Sequence, residues 1–293
     1  MKKQNWLLPA CTIFLLGACS DEAASEPEDS AQEQSAQTDV EEDVASEQAA
    51  SEQSDSSDQA EVDEQENEEE QTSEEDSEKA TEPRYRINPQ NSKVEPIGDA
   101  NEQAVLITID DAPDTYSLEM AETLKELDVP AIFFVNGHFL DTEEEQETLS
   151  KIHDMGFAIG NHTNTHVNLK QSTESVQQDE IVSLNEHVEA IIGETPKFFR
   201  APFGVNTEFS KALAQEQGMV RMNWTYGYDF MQGYMEPQAL TEIMVNAPEL
   251  NSGGNLLMHD REWTNEALPQ IIEGLRDKGY EFVDPDEIEE IQP

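Results

Sequence analysis

The sequence predicts a parallel α/β architecture, either an incomplete barrel or an open doubly wound sheet, behind a long acidic segment. Three observations predict it. From Ala104 onward, short apolar runs alternate with amphipathic stretches of helical period. Gly156, Gly193, Gly218 and Gly279 stand where helix C-terminal caps are expected. The chemically capable residues come directly after the apolar runs, at the carboxyl strand ends where parallel α/β folds build their sites.

Taken in order, the chain opens on an address. Lys2 and Lys3 precede a short apolar run broken by Pro9, and the small residues Gly17-Ala18 precede Cys19. A positive end, a short apolar stretch and a small-residue cleavage point describe a secretory signal over 1–18. The stretch is shorter than the ~20 residues that a membrane-spanning helix needs. Leu16-Gly17-Ala18-Cys19 resembles a bacterial lipobox, which implies acylation of Cys19 and anchoring by two or three acyl chains. The alternative is a plain signal peptide with an incidental cysteine; Cys11, without such neighbours, is read as incidental.

Residues 19–98 are expected to be a disordered linker. Between Asp21 and Pro83 the chain is dominated by Glu, Asp, Ser, Gln, Ala and Thr, with no aromatic residue. Such a segment cannot bury enough apolar surface to offset its ordering entropy. Its like charges repel and extend it. A stalk holding the folded part away from the membrane, toward the wall, is one reading; a solubilising tail is the other. The location expected is extracytoplasmic, lipid-anchored and facing the cell wall.

The formal net charge is −49, and 26 of the 65 acidic residues lie in 1–83, so the folded domain expected over 99–293 is acidic in its own right. Duplex nucleic acid and anionic lipid are poor partners for such a surface, because binding them needs basic side chains that replace counterions. A monomer without nucleic-acid partners is expected. The only cysteines are Cys11 and Cys19, so the folded part must rest on its core and not on disulfides.

Within that part, strands are predicted near 105–109, 131–135, 157–159, 197–199, 219–224, 255–258 and 281–283. Helices are predicted near 117–127, 142–155, 173–192, 207–217, 237–245 and 265–278. Asp110-Asp111 stands just after the first strand, His162 and His166 after the third, and Arg200 after the fourth. Asp229 comes after the fifth strand and His259-Asp260 after the sixth. One rim collects nearly all the reactive side chains.

His162-Thr163-Asn164-Thr165-His166 spaces two imidazoles four residues apart, in a run of poor helix formers that favours a polar loop. Neutral imidazole suits zinc and neighbouring divalent metals, and a carboxylate from elsewhere commonly completes a three-ligand catalytic site. Two histidines at this spacing often only line a surface. Asp110-Asp111 ends the run Val-Leu-Ile-Thr-Ile before Ala112-Pro113, where one carboxylate could ligate a metal while the other serves as a base. A helix cap and turn is the plainer reading of two adjacent acids; their coincidence with the histidine pair on one rim favours the catalytic one.

Over roughly 104–284 the sequence resembles the NodB-homology polysaccharide deacetylases, the fourth carbohydrate esterase family. Five blocks stand in the family's order. They are Thr108-Ile109-Asp110-Asp111-Ala112-Pro113, His162 through His166, Arg200-Ala201-Pro202-Phe203-Gly204, Trp224 through Phe230, and Leu256-Leu257-Met258-His259-Asp260. With the resemblance, the fold expected is an incomplete, distorted parallel (β/α) barrel of about seven strands. The resemblance implies that Asp111, His162 and His166 hold one divalent ion, zinc foremost, with cobalt, nickel, manganese or iron as alternatives. It implies Asp110 as general base held by Arg200, and His259 as general acid tuned by Asp229. Leu257 and Phe230 would shape the acetyl pocket, and the Phe203 backbone N–H would join the oxyanion hole. Ala112 replaces the usual glycine, which is harmless if that residue keeps negative φ, and Phe230 replaces a tryptophan, losing an N–H donor. Trp263, near the expected acid, either walls the pocket or packs in the interior.

The function implied is metal-dependent removal of N-acetyl groups from a cell-wall polysaccharide, peptidoglycan or a chitin-like glycan. The competing readings are a non-catalytic glycan-binding surface lipoprotein and a cation-delivery protein, which would need ligands beyond the three named.

Overall fold

The computed structural model describes residues 82–291. The expectations for 1–18, for Cys19 and for the acidic segment up to residue 81 lie outside these described residues.

Strand β1 (Tyr85–Ile87) and β2 (Val94–Pro96) form an antiparallel hairpin. The alternation then begins with β3 (Ala104–Ala112), α1 (Ser117–Glu126), β4 (Ala131–Val135), α2 (Glu143–Asp154), β5 (Ala158–Asn161) and α3 (Glu174–Ile192). It continues with β6 (Phe198–Phe199), α4 (Glu208–Glu216), β7 (Val220–Arg221), α5 (Pro237–Asn246), β8 (Gly254–His259), α6 (Glu262–Asp277) and β9 (Glu281–Phe282). All pairings among β3 to β9 are parallel, in the order β7-β6-β5-β4-β3-β8, with β9 on the first residues of β3. The sheet curls into a partial barrel, as the sequence predicts.

Local chemistry explains the element ends. Thr142, Thr173 and Thr207 cap α2, α3 and α4 by accepting from backbone N–H groups of the first turn. The strand expected over 219–224 is shorter, because after Met222, whose N–H still donates to the Phe199 carbonyl, the chain leaves β6 and crosses to the other edge. There the Leu257 N–H donates to the Tyr226 carbonyl at 2.9 Å.

The central strands β3, β4 and β8 are buried on both faces. Val105, Ile107, Ile109, Phe133 and Val135 pack beneath α1, α2, α5 and α6. Leu106, Ile132, Phe134, Phe198 and Met222 face the barrel interior.

The hairpin corrects one boundary. Residues 84–98, assigned from composition to the disordered linker, belong to the folded domain. Tyr85 and Val94 are buried with Leu106 and Phe134, and the Val94 N–H donates to the Gly253 carbonyl at 3.0 Å. Ser92 Oγ accepts from the Asn223 N–H at 2.9 Å, and its carbonyl accepts from Asn255 Nδ2 at 3.2 Å. The hairpin thus spans the gap between the β7 and β8 edges. A run of polar residues hid it, because two three-residue strands carry too few apolar side chains to register as periodicity. Tyr85→Ala is expected to lower stability by about 3 kcal/mol in denaturant titration; an unchanged midpoint would mean that the hairpin is not integral.

Candidate active site

Side chains alternate along a strand, so β3 presents Leu106, Thr108 and Asp110 to the interior and would turn Asp111 toward the helices. It does not. The register between β3 and β4 shifts between Ile109 and Ala112, and Asp111 adopts a φ of 63°. Such a bulge re-aims a side chain, and both carboxylates line one pocket. Left-handed backbone at a non-glycine residue costs roughly 1–3 kcal/mol and persists where its surroundings over-determine it. Ala112 stays out of the left-handed region, so the alanine is accommodated where the family pattern has glycine.

The two histidines leave the end of β5 in a loop, with φ of 68° at Thr163 and 55° at His166. Neighbours pin that loop. Asn136 Nδ2 donates to the carbonyls of His162 (2.6 Å) and Thr163 (3.1 Å). Glu180 on α3 accepts from the Thr165 N–H (2.7 Å) and Oγ1 (2.5 Å). The imidazole centroids end 5.0 Å apart.

Nε2 of His162 and of His166 lie 3.9 and 3.6 Å from Asp111 Oδ1. One donor atom from each of Asp111, His162 and His166 falls within 4.8 Å of the others. His162 Nδ1 faces the Arg200 carbonyl at 2.7 Å; a proton there leaves the Nε2 lone pair directed at the shared point. Burial lowers the pKa of both imidazoles, helped at His166 by His162, and this favours the neutral form that binds metal. Two imidazoles and one carboxylate in this arrangement fit a divalent cation.

Asp110 is held by a different partner. Arg200, fully buried, donates from Nη1 to Asp110 Oδ1 (2.6 Å) and Thr108 Oγ1 (2.8 Å). Its Nη2 donates to the Asn223 carbonyl (2.8 Å) and Asn255 Oδ1 (3.1 Å), and the guanidinium lies 4.3 Å from the Phe134 ring centroid. Asp110 Oδ2, the oxygen not held by Arg200, is 3.5 Å from His162 Nε2.

Across the pocket, His259 Nδ1 meets Asp229 Oδ1 at 2.8 Å. Asp229 Oδ2 accepts from the His259 N–H (2.5 Å) and Thr264 Oγ1 (2.9 Å), and the Asp229 carbonyl accepts from Trp263 Nε1 (2.8 Å). Burial disfavours the His259 imidazolium, but the hydrogen bond and charge of Asp229, with the charges of Asp110 and Asp111, outweigh it and raise the pKa above the usual histidine value.

Asp110, Asp111, His162, His166, Asp229 and His259 line a cavity of about 540 Å³ together with Leu257, Phe203, Phe230, Trp224 and Trp263. Leu257 is buried, whereas Phe203 and Phe230 are 61% and 50% exposed. Phe203 stands edge-on to His166 at 4.8 Å and Phe230 to His259 at 5.6 Å between centroids. Trp263 walls the pocket and also packs against the core, so both readings of its position hold.

Two residues have parts that the sequence motifs do not anticipate: Asp260, which the fifth block contains without a role, and Arg261, which no block contains. Asp260 accepts from the N–H groups of Thr115, Tyr116 and Ser117 and from Ser117 Oγ, at 2.6–3.0 Å, and so satisfies the N-terminus of α1 from across the fold. Arg261 Nη2 donates to Asp111 Oδ2 at 2.7 Å. A signal for Arg261 was present: a permanent cation directly after His259-Asp260, on a rim otherwise built of acids and histidines.

The polysaccharide deacetylase family model matches residues 97–222. The structure of a carbohydrate esterase family 4 pseudoenzyme mutant with restored enzymatic activity, whose wild-type form is from Bacillus anthracis, is 30% identical. Its match covers 64% of this chain and 67% of that one, with a TM-score of 0.58. The chain belongs to the polysaccharide deacetylase family. A peptidoglycan-N-acetylglucosamine deacetylase of Bacillus cereus is 29% identical over 64% of this chain and 68% of its own length. The Bacillus subtilis peptidoglycan-N-acetylmuramic acid deacetylase PdaA is 27% identical over 66% and 73%. As a polysaccharide deacetylase the protein is a hydrolase. The family match includes both aspartates of β3, both loop histidines and Arg200 but ends before Asp229 and His259, so the geometry of that pair is the independent observation.

Proposed function

We propose that this polysaccharide deacetylase removes N-acetyl groups from a cell-wall glycan, peptidoglycan first, using one divalent ion, foremost zinc, held by Asp111, His162 and His166. The observation that carries this is the three donor atoms within 4.8 Å of one another, flanked in one pocket by two separately buttressed groups, Asp110 on Arg200 and His259 on Asp229. When bound, the ion polarises the acetamide carbonyl and shares the charge that develops on its oxygen. Asp110 accepts the proton of the attacking water on Oδ2, its other oxygen being tied to Arg200. The Phe203 backbone N–H donates to the oxyanion. His259, oriented through Nδ1, delivers a proton from Nε2 to the departing nitrogen. Leu257 and Phe230 enclose the acetyl methyl, and acetate and a free amine result.

The substrate rests on the relatives named for peptidoglycan N-acetylglucosamine and N-acetylmuramic acid. Acetate release from intact peptidoglycan and from acetylated glucosamine oligomers, before and after chelation, tests the reading. Release that stops with chelator and returns with zinc or cobalt is expected. No release with any metal would favour the non-catalytic glycan-binding lipoprotein; a pseudoenzyme stands among the similar structures. Against that alternative stands the fully buried Arg200 with its carboxylate partner, whose desolvation is unfavourable and which a mere binder does not require.

A proton-donating His259 must be charged at the start of turnover, so its raised pKa extends activity to higher pH. In Asp229→Asn, burial acts without its largest counterweight. The alkaline limb of the kcat profile is expected to move to lower pH; a limb that stays in place would remove Asp229 from the tuning role.

We further propose that Cys19 is acylated and that the domain faces the wall from the membrane. Cys19→Ala is expected to release the protein from the membrane fraction, and an unchanged distribution counts against lipidation.

A further inference from the structure

We propose that Arg261 is a positioning residue for Asp111, turning a single carboxylate oxygen to the two imidazoles and thereby setting the site's affinity for its divalent ion. This rests on the reading of Asp111, His162 and His166 as the ligands.

The two oxygens of Asp111 have different surroundings. Oδ1 lies 3.6 and 3.9 Å from the imidazole Nε2 atoms, whereas Oδ2 accepts from Arg261 Nη2 at 2.7 Å. Arg261 is itself fixed at further points. Its Nη1 donates to the Asp260 carbonyl at 2.7 Å and lies 3.6 Å from Asp114 Oδ2. The stem leaves the backbone at the N-cap of α6, next to Asp260, whose carboxylate is locked onto the start of α1. The guanidinium is therefore a planar fork with its ends secured, and such a fork holds one oxygen in a fixed direction as a mobile ammonium does not.

Among the described residues lining the pocket, Arg261 alone carries a permanent positive charge. A cation beside a cation site opposes binding by Coulomb repulsion, so placing one there needs an offsetting benefit. Orientation supplies it. Asp111 sits on left-handed backbone at a bulge, where no regular strand geometry fixes its side chain, and hydrogen bonding to a ligating carboxylate typically governs metal affinity by about 10–100-fold. A loosely held surface ion pair would not have this leverage, but the Asp111 side chain is only 13% exposed.

The test is titration of the full-length chain, stripped with chelator, with Co²⁺ followed by calorimetry. His166→Ala defines the background from the acidic segment and is expected to lack the tight site. Arg261→Gln is expected to bind Co²⁺ about 10–100-fold more weakly than the unaltered chain, and Arg261→Lys to fall between the two. Arg261→Gln binding as well as or better than the unaltered chain, while His166→Ala has lost the site, overturns the proposal and leaves the ligands standing. Arg261→Lys binding more weakly than Arg261→Gln also counts against it. Tight Co²⁺ binding retained in His166→Ala instead overturns the ligand reading.

Discussion

Asp110→Asn is expected to lower turnover by about 10²–10⁴-fold while the divalent ion stays bound, because general-base catalysis contributes in that range. The substitution keeps an oxygen for Arg200 Nη1 and removes the group that takes water's proton. It also leaves a fully buried guanidinium without its counter-charge, which is destabilising; losing one partner of a buried pair outright costs about 3–5 kcal/mol. Thermal unfolding must therefore accompany the assay, so that a folded but inactive protein is distinguished from an unfolded one. Acetate release reads the turnover, and elemental analysis after dialysis reads the metal. If the ion leaves together with the activity, the duties of the two adjacent carboxylates are exchanged.

His166→Ala is expected to abolish metal retention and acetate release together. With this imidazole gone the set falls to two donors, one nitrogen and one oxygen, and a divalent ion exchanges into solution. His166 is the better position to test, since its side chain is 27% exposed whereas that of His162 is 3% exposed and braces the Arg200 carbonyl. Full activity in a metal-free His166→Ala protein would refute the ligand set. Calorimetric and activity readings should fail in parallel, since both depend on the same three atoms.

The parallel sheet was legible in the sequence because each of its central strands is a buried run of β-branched and aromatic residues, as in Ala131–Val135, bounded by amphipathic helices and glycine caps. The rim could be inferred from topology, since parallel strands end together. What stayed hidden was geometry that pattern does not encode. Two consecutive aspartates should face opposite sides of a strand; only the register shift and the left-handed Asp111 bring them into one pocket. A loop separates Asp229 from β7, so strand register alone does not place it; hydrogen bonds from His259, Trp263 and Thr264 define its position. Arg261 was missed, and the part played by Asp260 was not legible, because their partners, Asp111 and the start of α1, lie more than 140 residues away in sequence.

The hairpin near residue 90 gives the attachment point of the acidic segment a mechanical meaning. The chain enters the domain through β1, and Ser92 in the same hairpin holds Asn255, which holds Arg200, which holds Asp110. A recombinant fragment begun at residue 99, where composition alone draws the border, would pull a stopper from the barrel wall and leave the base's brace open to water. The first few residues that look like rope are a keystone, and a fragment begun before Arg84 is expected to keep the activity that one begun at residue 99 loses, as acetate release would show.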